Sequence, residues 1–376
     1  MVFQFPPEVS FMDALDIAGK SGRMDIVTVP DSWNEFINDR YNIFSGLIAG
    51  TFLALSYFGT DQSQVQRYLG GKSVAEIRIG LLFNGIFKVP MQFFILLVGV
   101  LMFVFYLFSP SPMFFNEQER TAILATEYAN EYQSLEQQYQ ELDESRADAW
   151  QQYLAEKGTE TEEKALATAL SLNQQADSIR TLGVELIEKR EGSRPKDQDR
   201  VFLTFVLNHL PVGLVGLLMA VIFSAAMSST SAELNALAST TLVDIYKRQI
   251  KSDGTDRHYL NMSRILTFGW GVLAIIFAIA AGQFENLIEY VNILGSLFYG
   301  TILGLFVVAF FFKSIDGRAV FPAAIIAELV VAAFFFLPDL APEAFGWMSI
   351  GYLWLNLIGS ALVVGLSFGF KVIQGS

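Results

Sequence analysis

Residues 224–247 read S-A-A-M-S-S-T-S-A-E-L-N-A-L-A-S-T-T-L-V-D-I-Y-K and follow the apolar run 212–223 without a break. One helix therefore leaves hydrocarbon carrying a dense stripe of hydroxyls. Two readings of that stripe are open. Ser and Thr inside a membrane usually bond back to the helix backbone or across to a neighbouring helix, which makes them packing glue. Alternatively the hydroxyls, with the carbonyls they leave free, hold a small hard cation that takes about five or six oxygens. Ala225, Ser228 and Ser229 stand at i, i+3 and i+4, so the Ala225 carbonyl and both hydroxyls share one patch of helix surface. Three oxygens from one helix make half of such a site.

The composition puts this helix in a membrane. Hydrophobic residues make up 52% of 376 residues and aromatics 14%, which indicates an integral membrane protein. The net charge of -13 is unevenly placed: residues 109–200 hold 19 acidic against 10 basic side chains. Such an acidic chain has no electrostatic basis for binding nucleic acid. With no cysteine, disulfides and thiolate metal sites are both excluded.

Seven apolar segments are long enough, or nearly so, to span: 41–59, 77–108, 212–241, 260–282, 287–312, 319–337 and 347–370. Residues 1–40 ahead of them are polar and read as an extracytoplasmic loop with one short helix near 10–19. The first apolar segment is short and places Gly46 and Gly50 at GxxxG spacing. That spacing serves close helix packing or a broken helix at a binding site. Lys and Arg gather on the cytoplasmic side of membrane proteins. Here Arg67, Lys72 and Arg78, then Lys247, Arg248, Lys251 and Arg257, then Lys313, Arg318 and Lys371 all fall on one face. The acidic N-terminal stretch, the acidic insert, Glu285, Asp339 and Glu343 fall on the other. The N-terminus of the chain is then outside and the C-terminus cytoplasmic, in a multi-pass protein of the plasma (inner) membrane. An outside N-terminus without a signal peptide is most simply explained by an odd number of preceding spans.

The chain accordingly divides into a loop at 1–40, two transmembrane helices in 41–108, an insert at 109–200 and five transmembrane helices in 201–376. In the insert, Tyr132, Leu135, Tyr139 and Leu142 repeat at 3-4-3 spacing. Ala165, Ala169, Leu172, Ala176, Ile179 and Leu186 follow a similar rhythm, with Gly158 and Thr159 between the two sets. This predicts an extracytoplasmic antiparallel helical hairpin with arms of about 30 to 40 residues. Its Gln- and Glu-rich outer faces either solvate it or offer a surface to a protein partner.

Several polar residues fall at membrane depth. Lys88 lies about ten residues into the second span, near mid-bilayer at about 1.5 Å per residue, and an ionisable residue there is a functional candidate. Asp61 reads as the N-cap of a following helix. Glu233 faces either a water-filled vestibule or a basic partner, while Glu328 has no partner apparent in the sequence. Asn292 is either interhelical glue or a substrate contact. His209 and His258 are far apart in sequence and offer no metal cluster.

The run Y-F-G-T-D-Q-S-Q-V-Q-R-Y-L-G-G-K-S at 57–73, F-K-V-P at 87–90, and the serine helix ending in D-I-Y-K-R at 244–248 resemble the sodium:solute symporter family. The resemblance covers the apolar segments in order, and the hairpin insert departs from the common pattern. It implies an all-α membrane protein whose seven transmembrane helices come from an inverted-repeat, five-plus-five (APC/LeuT-like) transporter with an extracytoplasmic helical hairpin insert. In that frame the chain supplies core helices six to ten and two C-terminal ones, and lacks the first core helices. The resemblance further implies that Ala225, Ser228 and Ser229 bind a co-transported sodium ion. Ser231 lies where some members bind a second ion, although Ala232 lacks the accompanying hydroxyl. Tyr57, Lys88 and Asn292 fall on the substrate side, and Ala54 replaces an Asn of sugar-transporting members. The implied function is a sodium-coupled symporter of a small organic solute or anion, with the lipid membrane as its surroundings. No nucleophile, base or metal constellation argues for an enzyme. The rival readings are a transporter-like sensor that binds a partner and an inactive, N-terminally truncated fragment.

Overall fold

The computed structural model describes residues 4–25, 27–39, 41–191, 197–281 and 287–374. In chain order the helices are α1 (Phe11–Lys20), α2 (Trp33–Asn38), α3 (Gly50–Thr60), α4 (Gln62–Leu69), α5 (Val74–Phe108), α6 (Glu117–Ile123), α7 (Ala129–Glu156) and α8 (Glu162–Glu191). They continue as α9 (Gln198–His209), α10 (Val212–Thr240), α11 (Asp256–Ala281), α12 (Leu287–Phe311), α13 (Gly317–Leu340), α14 (Pro342–Phe345) and α15 (Trp354–Gln374). π-Helical stretches precede α3 at Ser45–Ala49 and follow α10 at Thr241–Ile250. The protein is all-helical and multi-pass: among the described residues, six helices are long and apolar enough to cross a membrane.

The expected first span is the exception to that count. Its apolar helix, Ser45–Thr60, is shorter than the others. Its glycines do not mark a close approach, because a Cβ on Gly46 would meet nothing within 4 Å and one on Gly50 only the Ser45 carbonyl at 3.7 Å. Gly46 lies within a widened π turn and Gly50 ends it, a feature frequent at functional sites. The Asn42 side chain supports the turn by accepting from the Ser45 amide at 2.9 Å and donating to the Phe36 carbonyl at 3.1 Å. The last expected span begins late, since α14 and a 3₁₀ turn occupy residues 342–348 before α15 starts at Trp354. The expected end of the fourth span at Gly282, like Glu285, lies outside the described residues.

The chain forms two compact units, residues 1–26 with 83–223, and residues 27–82 with 224–376. In the first, α7 and α8 make the predicted hairpin with arms of 28 and 30 residues. Tyr132, Tyr139, Ala165, Ala169, Ala176 and Leu186 are buried along its seam, as their spacing requires. Toward its turn Trp150 and Tyr153 of α7 pack with Ala14 and Ile17 of α1, Val104 and Phe105 of α5 and Phe205 of α9. Helix α1 carries a capping box between Ser10 and Asp13. It is further pinned to α7 by Lys157, 2.9 Å from Asp16, and by the Tyr153 hydroxyl, which donates to Asp16 at 2.8 Å. Buried polar groups fasten the chain on either side of the hairpin. The Ser111 amide donates to Asp143, which Arg146 neutralises, and the Phe115 and Asn116 amides donate to Asp197, which Arg180 neutralises. Burial pushes the Asp197 carboxyl up from its ordinary value against the pull of Arg180.

In the second unit α12, α13 and α15 pack together, with α3 against α12. The α12–α15 contact is close because Gly300 and Gly304 face α15. A Cβ on Gly300 would come within 2.5 Å of the Asn356 carbonyl, and one on Gly304 within 2.7 Å of Val363. Asn356, fully buried, donates to the Ser296 hydroxyl at 2.9 Å between the same two helices. Such small-residue contacts with a buried polar bond are how membrane helices associate where no water drives them together.

Candidate functional site

Six of the seven candidate residues, Tyr57, Ala225, Ser228, Ser229, Ser231 and Asn292, belong to the second unit, and Lys88 to the first. Helix α10 carries Ala225, Ser228 and Ser229 on exposed positions. The Ser231 hydroxyl donates to the Ser228 carbonyl at 3.0 Å, so that hydroxyl and that carbonyl are partly spent on the helix itself. The Ala225 carbonyl and the Ser228 and Ser229 hydroxyls remain the oxygens of the patch. Asn292 is half-buried near the start of α12. Lys88 sits two residues before Pro90 inside α5.

Around Tyr57 the structure assembles a polar junction. Asp61 ends α3 and caps α4, accepting from the Ser63 amide at 2.8 Å and the Gln64 amide at 3.3 Å. The cap turns the chain so that the buried Ser63 and Gln64 point back. Gln64 donates to the Tyr57 hydroxyl at 2.8 Å, and the Tyr57 ring lies 6.5 Å from that of Tyr299 on α12. Ser63 contacts Asp61 at 2.7 Å and Glu233 of α10 at 2.6 Å. Glu233 therefore finds a hydroxyl from α4. Next to Tyr57 on α3, the Ser56 hydroxyl donates to the Tyr299 carbonyl at 2.8 Å. Tyr57 is thus held by α4 and α12 together, and α4 is tied to the serine-rich α10.

Ser56 and Tyr299 had no mark in the sequence, and Ser63 and Gln64 stood inside the quoted run 57–73 without a role of their own. Ser63 reads as an ordinary second residue of a capped helix, and 170 positions separate it from Glu233. Glu328 lines a pocket of about 570 Å³ between α12 and α13 together with Thr301, apart from this junction. At the C-terminal end of α10, Trp270 of α11 donates to Thr241 at 3.0 Å and Tyr246 bonds His258 at 2.9 Å. This fixes the π-helical extension against α11. Among the described residues no group of His, Cys, Asp or Glu is arranged to hold a metal ion.

The residues of α10 and α12 fall in a segment, 181–327, that matches the sequence model of the sodium:solute symporter family. That segment is similar in sequence to these symporters. A sodium/sialic acid symporter of Proteus mirabilis is 28% identical over 163 residues, 43% of this chain and 31% of that protein. A putative sodium-dependent multivitamin transporter of Drosophila melanogaster is 34% identical over 127 residues, 32% of this chain and 20% of that protein. A longer match, 20% identical, joins 76% of this chain to 33% of sodium/glucose cotransporter 1 of Oryctolagus cuniculus. In fold the chain is similar to a Na+-coupled sialic acid symporter solved in a substrate-bound, outward-open state, with a TM-score of 0.58, 18% identity and coverage of 99% of this chain and 57% of that one. The chain thus spans less than a third of the length of the first of these curated relatives.

Proposed function

We propose that the protein to which this chain belongs is a sodium-coupled symporter of a small organic solute or anion. The observation that carries the reading is the exposed oxygen patch of Ala225, Ser228 and Ser229 on a membrane-crossing helix, inside the segment that matches the family. Sodium is the co-transported ion, and Ser231 is the place of a second one. Tyr57, Asn292 and Lys88 line the solute side. Seven membrane-crossing helices, the short 45–60 helix among them, belong to an inverted-repeat five-plus-five arrangement with alternating access to a midplane site. The protein resides in the plasma (inner) membrane with the hairpin insert, 109–200, outside and the C-terminus in the cytoplasm, following the basic loops. Sodium on α10 raises solute affinity by favouring one conformation, and the solute raises sodium affinity by the same factor.

The test is uptake into proteoliposomes under an imposed sodium gradient, with sialic acid, glucose and biotin as probes because relatives carry sialic acid, glucose and multivitamin names. Replacing Ser228→Ala with Ser229→Ala abolishes sodium-dependent uptake while the protein stays folded. Undiminished sodium-dependent uptake in that variant removes the ion site from α10.

A further inference from the structure

A cavity of about 1000 Å³ opens in the first unit, where the C-terminal half of α5 meets the middle of the hairpin, and no candidate transport residue lines it. Its wall has two characters. One side is the apolar surface of α5, with Ile95, Leu96, Val98 and Gly99. The other carries three guanidinium groups, Arg23, Arg146 and Arg180, from three separate elements. Each is set over an aromatic ring, Arg23 over Phe103 at 4.8 Å, Arg146 over Tyr139 at 5.9 Å and Arg180 over Phe115 at 5.7 Å. Arg146 spends one terminal nitrogen on Asp143, the Tyr106 carbonyl and Ser111, and Arg180 spends one on Asp197, which leaves the other N–H groups of each five-donor fork for another acceptor. Among the described lining residues the one carboxylate is Asp177.

Two buried polar groups of the wall lack a partner, the Arg146 Nε and the Tyr106 hydroxyl, on residues that are 7% and 8% exposed. A second cavity of about 210 Å³ shares Arg23, Phe103, Arg146 and Asp177 and adds Lys20. Donors and cations converge where the apolar wall ends.

We propose that this cavity binds an anionic phospholipid, with the headgroup phosphate at the arginines and an acyl chain along α5. A phosphate accepts several N–H bonds from guanidinium forks, and charge assistance makes these the strong members of their class. A free organic phosphate has the same head chemistry but leaves the Ile95–Gly99 wall in water. That wall belongs to a helix apolar enough to cross a membrane, so its natural occupant is a lipid tail.

The experiment is native mass spectrometry of the full chain released from bilayers holding equal amounts of phosphatidylglycerol and phosphatidylcholine. The wild type retains phosphatidylglycerol in preference to phosphatidylcholine, and free glycerol phosphate does not displace it. Arg23→Gln lowers that retention about tenfold, the loss of one charge-assisted contact. Gly99→Leu, whose added side chain starts in open space, lowers it to a similar extent with every charge in place. Equal retention of the two lipids overturns the proposal. So does wild-type retention in both variants, as does displacement by glycerol phosphate, which would make the cavity a site for a soluble anion.

Discussion

The Ser63 hydroxyl lies 2.6 Å from the Glu233 carboxylate and joins the first turn of α4 to the serine-bearing helix α10. Ser63 is 3% exposed and also touches Asp61, so one hydroxyl serves a cap and a helix contact together. Ser63→Ala keeps the amide that Asp61 caps but leaves Glu233 without this donor. It lowers stability by about 1–2 kcal/mol, the cost of a lost bond to a charged group. Ser63→Thr retains the hydroxyl and most of the stability. Melting of the purified variants in detergent separates the two, and equal melting of Ala and Thr variants contradicts the role assigned to the hydroxyl.

Attachment of α1 to the hairpin depends on pH at both extremes. The Ser10 hydroxyl, aided by Lys157, holds the Asp13 carboxyl below its ordinary 3.8. Burial opposes ionisation of Asp16, but Lys157 and Tyr153 outweigh it and also hold that carboxyl below 3.8. A depressed carboxylate contributes stability above its unfolded value and loses it as pH falls through the folded one. Bonding to Asp16 raises Lys157 above 10.5, so its contribution is present below that value and fades as pH rises through the raised one. The contact is therefore firm in the middle of the range and weakens below about pH 4. The chain has no cysteine, so spin labels on introduced cysteines at exposed Met12 and Gln151 report it cleanly. Their distance distribution is narrow at neutral pH and broadens in acid; an unchanged distribution at pH 3 refutes the assignment.

Gly300 and Gly269 are both helical glycines with opposite surroundings. A methyl on Gly300 runs into the α15 backbone, which must shift, whereas one on Gly269 of α11 meets nothing within 4 Å. Gly300→Ala destabilises by about 1–3 kcal/mol through overpacking. Gly269→Ala is neutral or stabilising by up to about 1 kcal/mol through helix propensity. Thermal unfolding of the two variants side by side checks the ordering, and a reversed order rejects the close α12–α15 contact.

Trp150 is fully buried near the turn end of the hairpin, with its indole N–H bonded to Asn173 at 3.3 Å. Trp150→Ala leaves a large void among α1, α5 and α8 residues and costs about 3–5 kcal/mol. Trp150→Phe costs less, because most of the ring volume stays. Protease sensitivity of the hairpin rises in that order, and an insensitive Ala variant contradicts a shared core.

What could be read from the chain follows from where information sits in a sequence. The membrane-crossing helices were legible as long apolar runs, and the hairpin seam because burial recurs with the helical period: Tyr132, Tyr139, Ala165 and Ala169 all fall where their spacing puts them. Asp61 was legible as a cap because a cap is local. The π turn after Phe44 was not, since Gly46 and Gly50 serve packing and irregular backbone equally well on paper. Nor was the Tyr57 junction: Ser63–Glu233 and Ser56–Tyr299 are pairings across 170 and 243 positions, and no local pattern encodes them. The arginine cavity was hidden for the same reason, since Arg23, Arg146 and Arg180 meet only once the turn after α1 is assembled with α7 and α8.

The turn between α7 and α8 has a practical consequence. Gly158 takes a left-handed conformation, φ +81°, and residues 157–161 are exposed around it. A short epitope inserted after Gly158 sits at an exposed loop tip, past the Lys157 contact to Asp16, the kind of place where insertions leave a fold intact. An antibody reaching that epitope on unbroken cells, or failing to until the membrane is opened, turns one glycine into a reporter of which way the whole chain is threaded.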